Sequence, residues 1–229
     1  MWDLSKHERI EMEILEGLHS KKILDHLIFC GGTMLRLCHE LNRYSVDLDF
    51  WLPDRDKGGL VCGGISEFLS GRFGIRKKAN NRSSIIFEFT VKNYPRSLKI
   101  EIRKISDPVS CEEKIAFSKH SSIQVLLRAA TLGEMMKSKV ETLLDRAEIR
   151  DVFDVEFLLR RGVPLAASRK QLKNVQDIIK SLKPRDYRIT LGSLLEFKDR
   201  HYFKAANFRF TLNHISNLLH AGADTAKRN

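Results

Sequence analysis

Residues 29–50 read FCGGTMLRLCHELNRYSVDLDF, and the fold turns on this stretch. A compact apolar run over 23–30 ends at Gly31-Gly32, as a buried strand does when it runs into a tight turn. Met34, Leu35, Leu37 and Leu41 then recur at helical spacing, and residues 45–52 alternate as a half-buried strand. The expected order is strand, glycine turn, helix, strand. Asp47 and Asp49 stand two apart on the second strand, so both carboxylates leave one face while Leu48 and Phe50 point into the core. Two acids this close repel each other unless a cation lies between them, and their hard oxygens suit magnesium or manganese, which also bind phosphate. The turn complements them. Without side chains at Gly31 and Gly32, backbone N–H groups at a helix N-terminus can approach an anion.

Working outward, Ile10, Ile14 and Leu18 predict an amphipathic helix over 1–20, with Ser5 as its N-cap. Residues 53–65 hold Pro53, Asp54, Asp56 and four glycines and read as a loop, with a short helix over 65–70. Strands are expected over 73–78, 85–91 and 98–105, which gives a small mixed sheet. From residue 112 the patterns turn helical, over 123–127, 132–144, 152–159, 167–182, 189–197 and 208–219, with Pro164 and Pro184 marking breaks. The fold class is therefore α+β: an α/β domain over 1–110, then a helical bundle over 111–229.

At 229 residues the chain can bury a sizeable core, and 42% hydrophobic with 30% charged residues excludes wholesale disorder. The formal net charge is +11, and it is unevenly spread. From Arg160 onward there are 15 Lys and Arg against 5 Asp and Glu, so nearly all the excess lies C-terminally. Such a basic segment attracts anionic partners, nucleic acid among them. Cys30, Cys38, Cys62 and Cys111 form no CxxC pair and have no His at ligand spacing, which argues against zinc. With no signal peptide and no long apolar run, the expectation is a cytoplasmic protein with reduced thiols and no membrane association.

The pattern GGT, a helix, and then R-x-S-x-D-L-D-F at Arg43, Ser45 and residues 47–50 resembles the nucleotidyltransferases of the AbiEii toxin family, in the polymerase-beta-like superfamily. A second signature of that family, K-x6-R-x3-R-D-x2-D, recurs as Lys139, Arg146, Arg150, Asp151 and Asp154. The resemblance implies a small mixed-sheet nucleotidyltransferase domain whose active-site cleft the helical bundle completes. It also implies magnesium-dependent (or manganese-dependent) transfer of a nucleoside monophosphate from an NTP. The metal ligands would be Asp47, Asp49 and a third carboxylate. Glu101 is the best candidate, because Lys99, Glu101 and Arg103 share one face of a strand whose other face is Leu98, Ile100 and Ile102; Glu88 is a similarly placed rival. Gly31, Gly32, Thr33, Arg43 and Ser45 would meet the nucleotide, and Lys139 and Arg146 its triphosphate. Asp47, Asp49, Lys139 and Asp151 would be catalytic, with Asp154 the alternative to Asp151. In one departure, Cys30 stands where many relatives carry Lys before the glycines. The implied acceptor is an RNA, the 3′ end of a tRNA, with the chain as toxin of a toxin–antitoxin pair. A protein-nucleotidylylating enzyme, a phosphotransferase, and a non-catalytic RNA-binding or regulatory protein are the alternatives.

Overall fold

A computed structural model of the chain describes residues 3–196, 199, 200, 203 and 206–225. It divides into two compact units, Met1–Thr131 and Leu132–Asn229.

The first unit is built on a seven-stranded mixed sheet in the order β3-β4-β5-β2-β1-β7-β6. Its strands are β1 (Ile28–Cys30), β2 (Asp47–Leu52), β3 (Gly74–Asn80), β4 (Ser84–Thr90), β5 (Ser97–Lys104), β6 (Cys111–Phe117) and β7 (Gln124–Ala130). β2 runs parallel to β5 and antiparallel to β1, which in turn runs parallel to β7. Helix α1 (Leu4–Ser20) packs on β7, α2 (Gly31–His39) on β2 and β6, and α3 (Gly58–Ser70) on β3. Leu48 and Phe50 of β2 are buried with Phe87, Phe89, Ile100 and Ile102, and the Phe29 and Phe50 rings lie 5.1 Å apart. The alternation of β2 thus sends Leu48, Phe50 and Leu52 to one face and its two acids, with Trp51, to the other.

Three expectations are corrected here. Residues 111–130, expected in the helical half, form β6 and β7, so the division falls after Thr131 and not after residue 110. The run over 123–127 is short enough to fit either period, and Val125, Leu127 and Ala129 are buried in alternation while Gln124 and Leu126 are exposed. Residues 58–64, expected as loop, belong to α3. Four glycines there weaken the helix, each by about 1 kcal/mol relative to alanine. The buried stripe of Val61, Cys62, Ile65, Phe68 and Leu69 offsets that cost. Finally, Asp3 and not Ser5 caps α1, its carboxylate accepting the Lys6 N–H at 3.0 Å.

Helix α1 buries charge as well as apolar surface. The Glu8 carboxylate accepts from Arg36 of α2 and from the Ser118 hydroxyl, the latter at 2.6 Å. His7 Nε2 donates to the Val46 carbonyl at 3.0 Å, and its Nδ1 lies 2.8 Å from the Tyr94 hydroxyl. Glu11 is fully buried 3.4 Å from His7, and burial pushes its carboxyl up to about 7 against the opposing pull of the imidazole. His7 is raised as well, because Glu11 and the Val46 carbonyl outweigh the opposing effect of burial. Both groups hold protons more tightly folded than unfolded. The stability they contribute is complete below about pH 4.5, the ordinary value for Glu, and is lost as pH rises through about 7. Glu11→Gln is expected to remove most of that slope, on the order of 3 kcal/mol, in melting curves recorded from pH 5 to pH 8.

The second unit is helical: α4 (Leu132–Arg146), α5 (Ile149–Arg160), α6 (Arg169–Ser181) and α7 (Arg209–Thr225), with a π-helical segment at Asp186–Leu191. Pro164 lies between α5 and α6, and Pro184 between α6 and the π-helical segment, as expected of helix breakers. Ser168 and Gln171 form a reciprocal capping box on α6. The rings of Phe153, Phe203 and Phe208 pack at tilted angles, at centroid distances of 4.6 and 5.9 Å. The helix expected over 189–197 is not formed: turns follow Leu191, and Phe197 lies outside the described residues.

Candidate active site

Sheet register gathers the acids of the first unit. Asp47 of β2 is opposite Lys99 of β5, and Asp49 is opposite Glu101. Neighbouring residues in register share a face, so Asp47, Asp49 and Glu101 project together from the face opposite Leu48 and Ile100. Glu88 stands on β4 opposite Lys99, one strand further from β2, and lies 3.9 Å from Lys77. Only Glu101 of the two flanks the paired aspartates.

The glycines act by letting neighbours in. Gly31 opens α2 at φ +78°, and a Cβ there would lie 2.3 Å from Asp49 Oδ2. At Gly32 a Cβ would lie 2.7 Å from both the Arg43 guanidinium and the Ser45 hydroxyl. The turn, Arg43, Ser45 and the two aspartates are therefore packed against one another around the N-terminus of α2. Thr33 donates its hydroxyl to the Asp47 carbonyl at 2.6 Å, and His7 holds the preceding Val46 carbonyl, so β2 is pinned at the point where its acids begin.

Two of the residues expected to meet the nucleotide are buried. Thr33 is 0% exposed with its hydroxyl on Asp47, and Arg43 is 3% exposed and donates to the Tyr44 carbonyl at 2.9 Å. Both side chains shape the turn from within. Ser45, Asp47, Asp49 and Glu101 remain half-buried at its surface.

Gly31→Ala would force a β-carbon into Asp49 and a left-handed backbone on an L-residue, costing roughly 1–2 kcal/mol for the backbone alone. A displaced carboxylate lowers catalysis steeply, and the expected loss in turnover is about 100-fold. Steady-state kinetics beside a melting curve would separate that loss from unfolding.

In the second unit the signature residues form a closed charge network. Lys139 Nζ lies 2.7 Å from Asp154 Oδ2 and 3.8 Å from Asp151 Oδ1. Arg146 donates to both oxygens of Asp151, at 2.8 and 2.9 Å. Both aspartates are 0% exposed. Asp151, expected to be catalytic, is enclosed between two cations, with both of its oxygens accepting from Arg146. Arg150 pairs with Glu148 at the surface, while the Arg146 side chain remains 41% exposed.

A divalent cation can be tested against these residues. Among the described residues no group of three His, Cys, Asp or Glu side chains is gathered into a preformed cage. Magnesium does not need one: it binds one or two carboxylates, keeps several waters and takes the rest of its shell from phosphate oxygens. The acids already attract a cation. Lys99 pairs with Glu101, and although partial burial opposes it, Glu101, Asp47 and Asp49 together raise its pKa. The donor set and its charge fit a hard divalent ion. Lys99 was visible in the sequence as the same-face neighbour of Glu101, but its role required the register.

The family model of the nucleotidyl transferase AbiEii toxin, type IV toxin–antitoxin system, matches residues 13–226. The chain belongs to the AbiEii family. It is a nucleotidyltransferase, and membership implies a nucleoside triphosphate substrate and an antitoxin counterpart. No curated protein matches it by sequence. Its fold is shared with JHP933 from Helicobacter pylori, at 16% identity and TM-score 0.54, over 95% of this chain and 97% of that one. It is also shared with MenT4, the nucleotidyltransferase toxin Rv2826c from Mycobacterium tuberculosis H37Rv, at 18% identity and TM-score 0.54, over 93% of this chain and 88% of that one. Among the described residues of this AbiEii chain, no helix is long and apolar enough to cross a membrane.

Proposed function

We propose that this AbiEii nucleotidyltransferase uses magnesium or manganese to move a nucleoside monophosphate from an NTP to the 3′ end of a tRNA, in the cytoplasm, as the toxin of its toxin–antitoxin pair. The observation that carries the reading is the register of Asp49 with Glu101 beside Asp47, three hard carboxylates on one face next to a glycine turn. A divalent ion held there would neutralise phosphate charge and lower the pKa of the attacking hydroxyl. The protein's own groups supply the rest. Backbone N–H groups at the start of α2 and the Ser45 hydroxyl receive phosphate oxygens, where the helix dipole favours negative charge. Thr33 and His7 keep β2 from shifting as charge accumulates in front of it.

Lys139 and Arg146 serve the same reaction in this proposal, compensating charge on the departing pyrophosphate, while Asp151 and Asp154 orient them. The positive excess after Arg160 supports a nucleic-acid acceptor, since phosphate backbones are attracted without regard to sequence. Incubation with magnesium, each α-labelled NTP in turn, and total tRNA or total protein tests the acceptor. Label on tRNA that nuclease trimming of the 3′ end removes is the expected result. Label on protein alone would replace the RNA acceptor with a protein hydroxyl.

A further inference from the structure

Lys99 stands in register between Asp47 of β2 and Glu88 of β4, two residues before Glu101 on the same face of β5. Its ammonium pairs with Glu101, with side chains 34% and 39% exposed. A lysine is therefore held where the reading above seats a divalent ion. Asp47, Asp49 and Glu101 bring three carboxylates to one face, and the ammonium of Lys99 stands among them. The pair is open enough to solvent to break, and a flexible four-carbon stem lets the ammonium swing to another anion.

We propose that Lys99 is a counter-ion built into the acidic face, holding Glu101 when no divalent ion is bound and transferring to the phosphates of the nucleotide when one enters. The proposal rests on the assignment of Asp47, Asp49 and Glu101 as the metal-binding acids. Its consequence is thermodynamic. Metal alone must break the Lys99–Glu101 pair without compensation, whereas metal arriving with a nucleotide gives the ammonium a new partner. Metal and nucleotide then favour each other's binding, and the coupling is reciprocal. The enzyme stays largely metal-free until substrate arrives.

The test is manganese binding to the full chain, followed by electron paramagnetic resonance, without nucleotide and then with a non-hydrolysable NTP analogue. Lys99→Met is expected to bind manganese about fivefold more tightly than wild type when nucleotide is absent, as removal of a partly exposed competing cation requires. The same variant should show a smaller tightening of manganese binding by the analogue. Lys99→Arg, which keeps a cation beside Glu101, should follow wild type, and melting curves of both variants would verify the fold. Unchanged or weaker manganese binding by Lys99→Met without nucleotide overturns the counter-ion. Equal manganese binding by wild type and Asp47→Asn would overturn the metal seat itself, and the counter-ion with it.

Discussion

Asp49→Asn is expected to lower nucleotidyl transfer by about 10³-fold, a loss typical of removing one preorganised charge-stabilising group. The substitution preserves shape and removes a charge. Asp49 sits between Cys30 of β1 and Glu101 of β5, against the open backbone of Gly31, so an amide fits where the carboxylate was. What it cannot do is offer two equivalent anionic oxygens to a hard cation. Stability should move the other way. Asp47, Asp49 and Glu101 stand side by side on one face and repel one another, so neutralising one acid relieves repulsion and leaves Tm equal or higher. An inactive protein that melts no earlier is the distinctive outcome, since a merely structural aspartate would lose both. Kinetics at saturating magnesium together with calorimetry would record it.

The second large effect falls on the helical unit. Lys139→Met is expected to destabilise it by about 3–5 kcal/mol, because removing one partner of a buried ion pair strands the other. Asp154 would lose its 2.7 Å partner at zero exposure, and Asp151 would keep Arg146 alone. The methionine matches the aliphatic stem of lysine, so packing changes little. Asp154→Asn combined with Lys139→Met should recover much of the loss, since no uncompensated charge is then buried. Denaturant titrations of the two variants would show it, and a single variant as stable as wild type would mean that the network carries no charge-pairing energy.

The parts of this enzyme that were legible in the sequence are those that local periodicity governs. Asp-Leu-Asp-Phe fixed both the strand and the face of its acids, because alternation survives any tertiary context that buries one side. The glycine turn and the helix after it followed from the same stretch. β6 and β7 were not legible, since Ile115, Phe117 and Leu126 are large apolar residues left exposed, and they blur the alternation that marks a strand. The glycine-rich start of α3 misled in the opposite sense, its low propensity overridden by a buried stripe.

At the site, residue types were readable and their orientations were not. Thr33 and Arg43 belong to the motif, yet their side chains turn inward, which depends on how closely β2 approaches the glycines. Choosing Glu101 over Glu88 needed the strand order, because both alternate correctly within their own strands. The enclosure of Asp151 needed the packing of α4 against α5, which brings Lys139 and Arg146 onto one carboxylate.

The most direct test compares α-labelled with γ-labelled NTP, in single turnover with magnesium and total tRNA, for wild type and Asp49→Asn. Wild type should leave the α label covalently on the acceptor and release the γ label in pyrophosphate, and Asp49→Asn should do both about 10³-fold more slowly. Transfer of the γ label to the acceptor, or undiminished α transfer by Asp49→Asn, would contradict nucleotidyl transfer at the acidic face of β2 and β5.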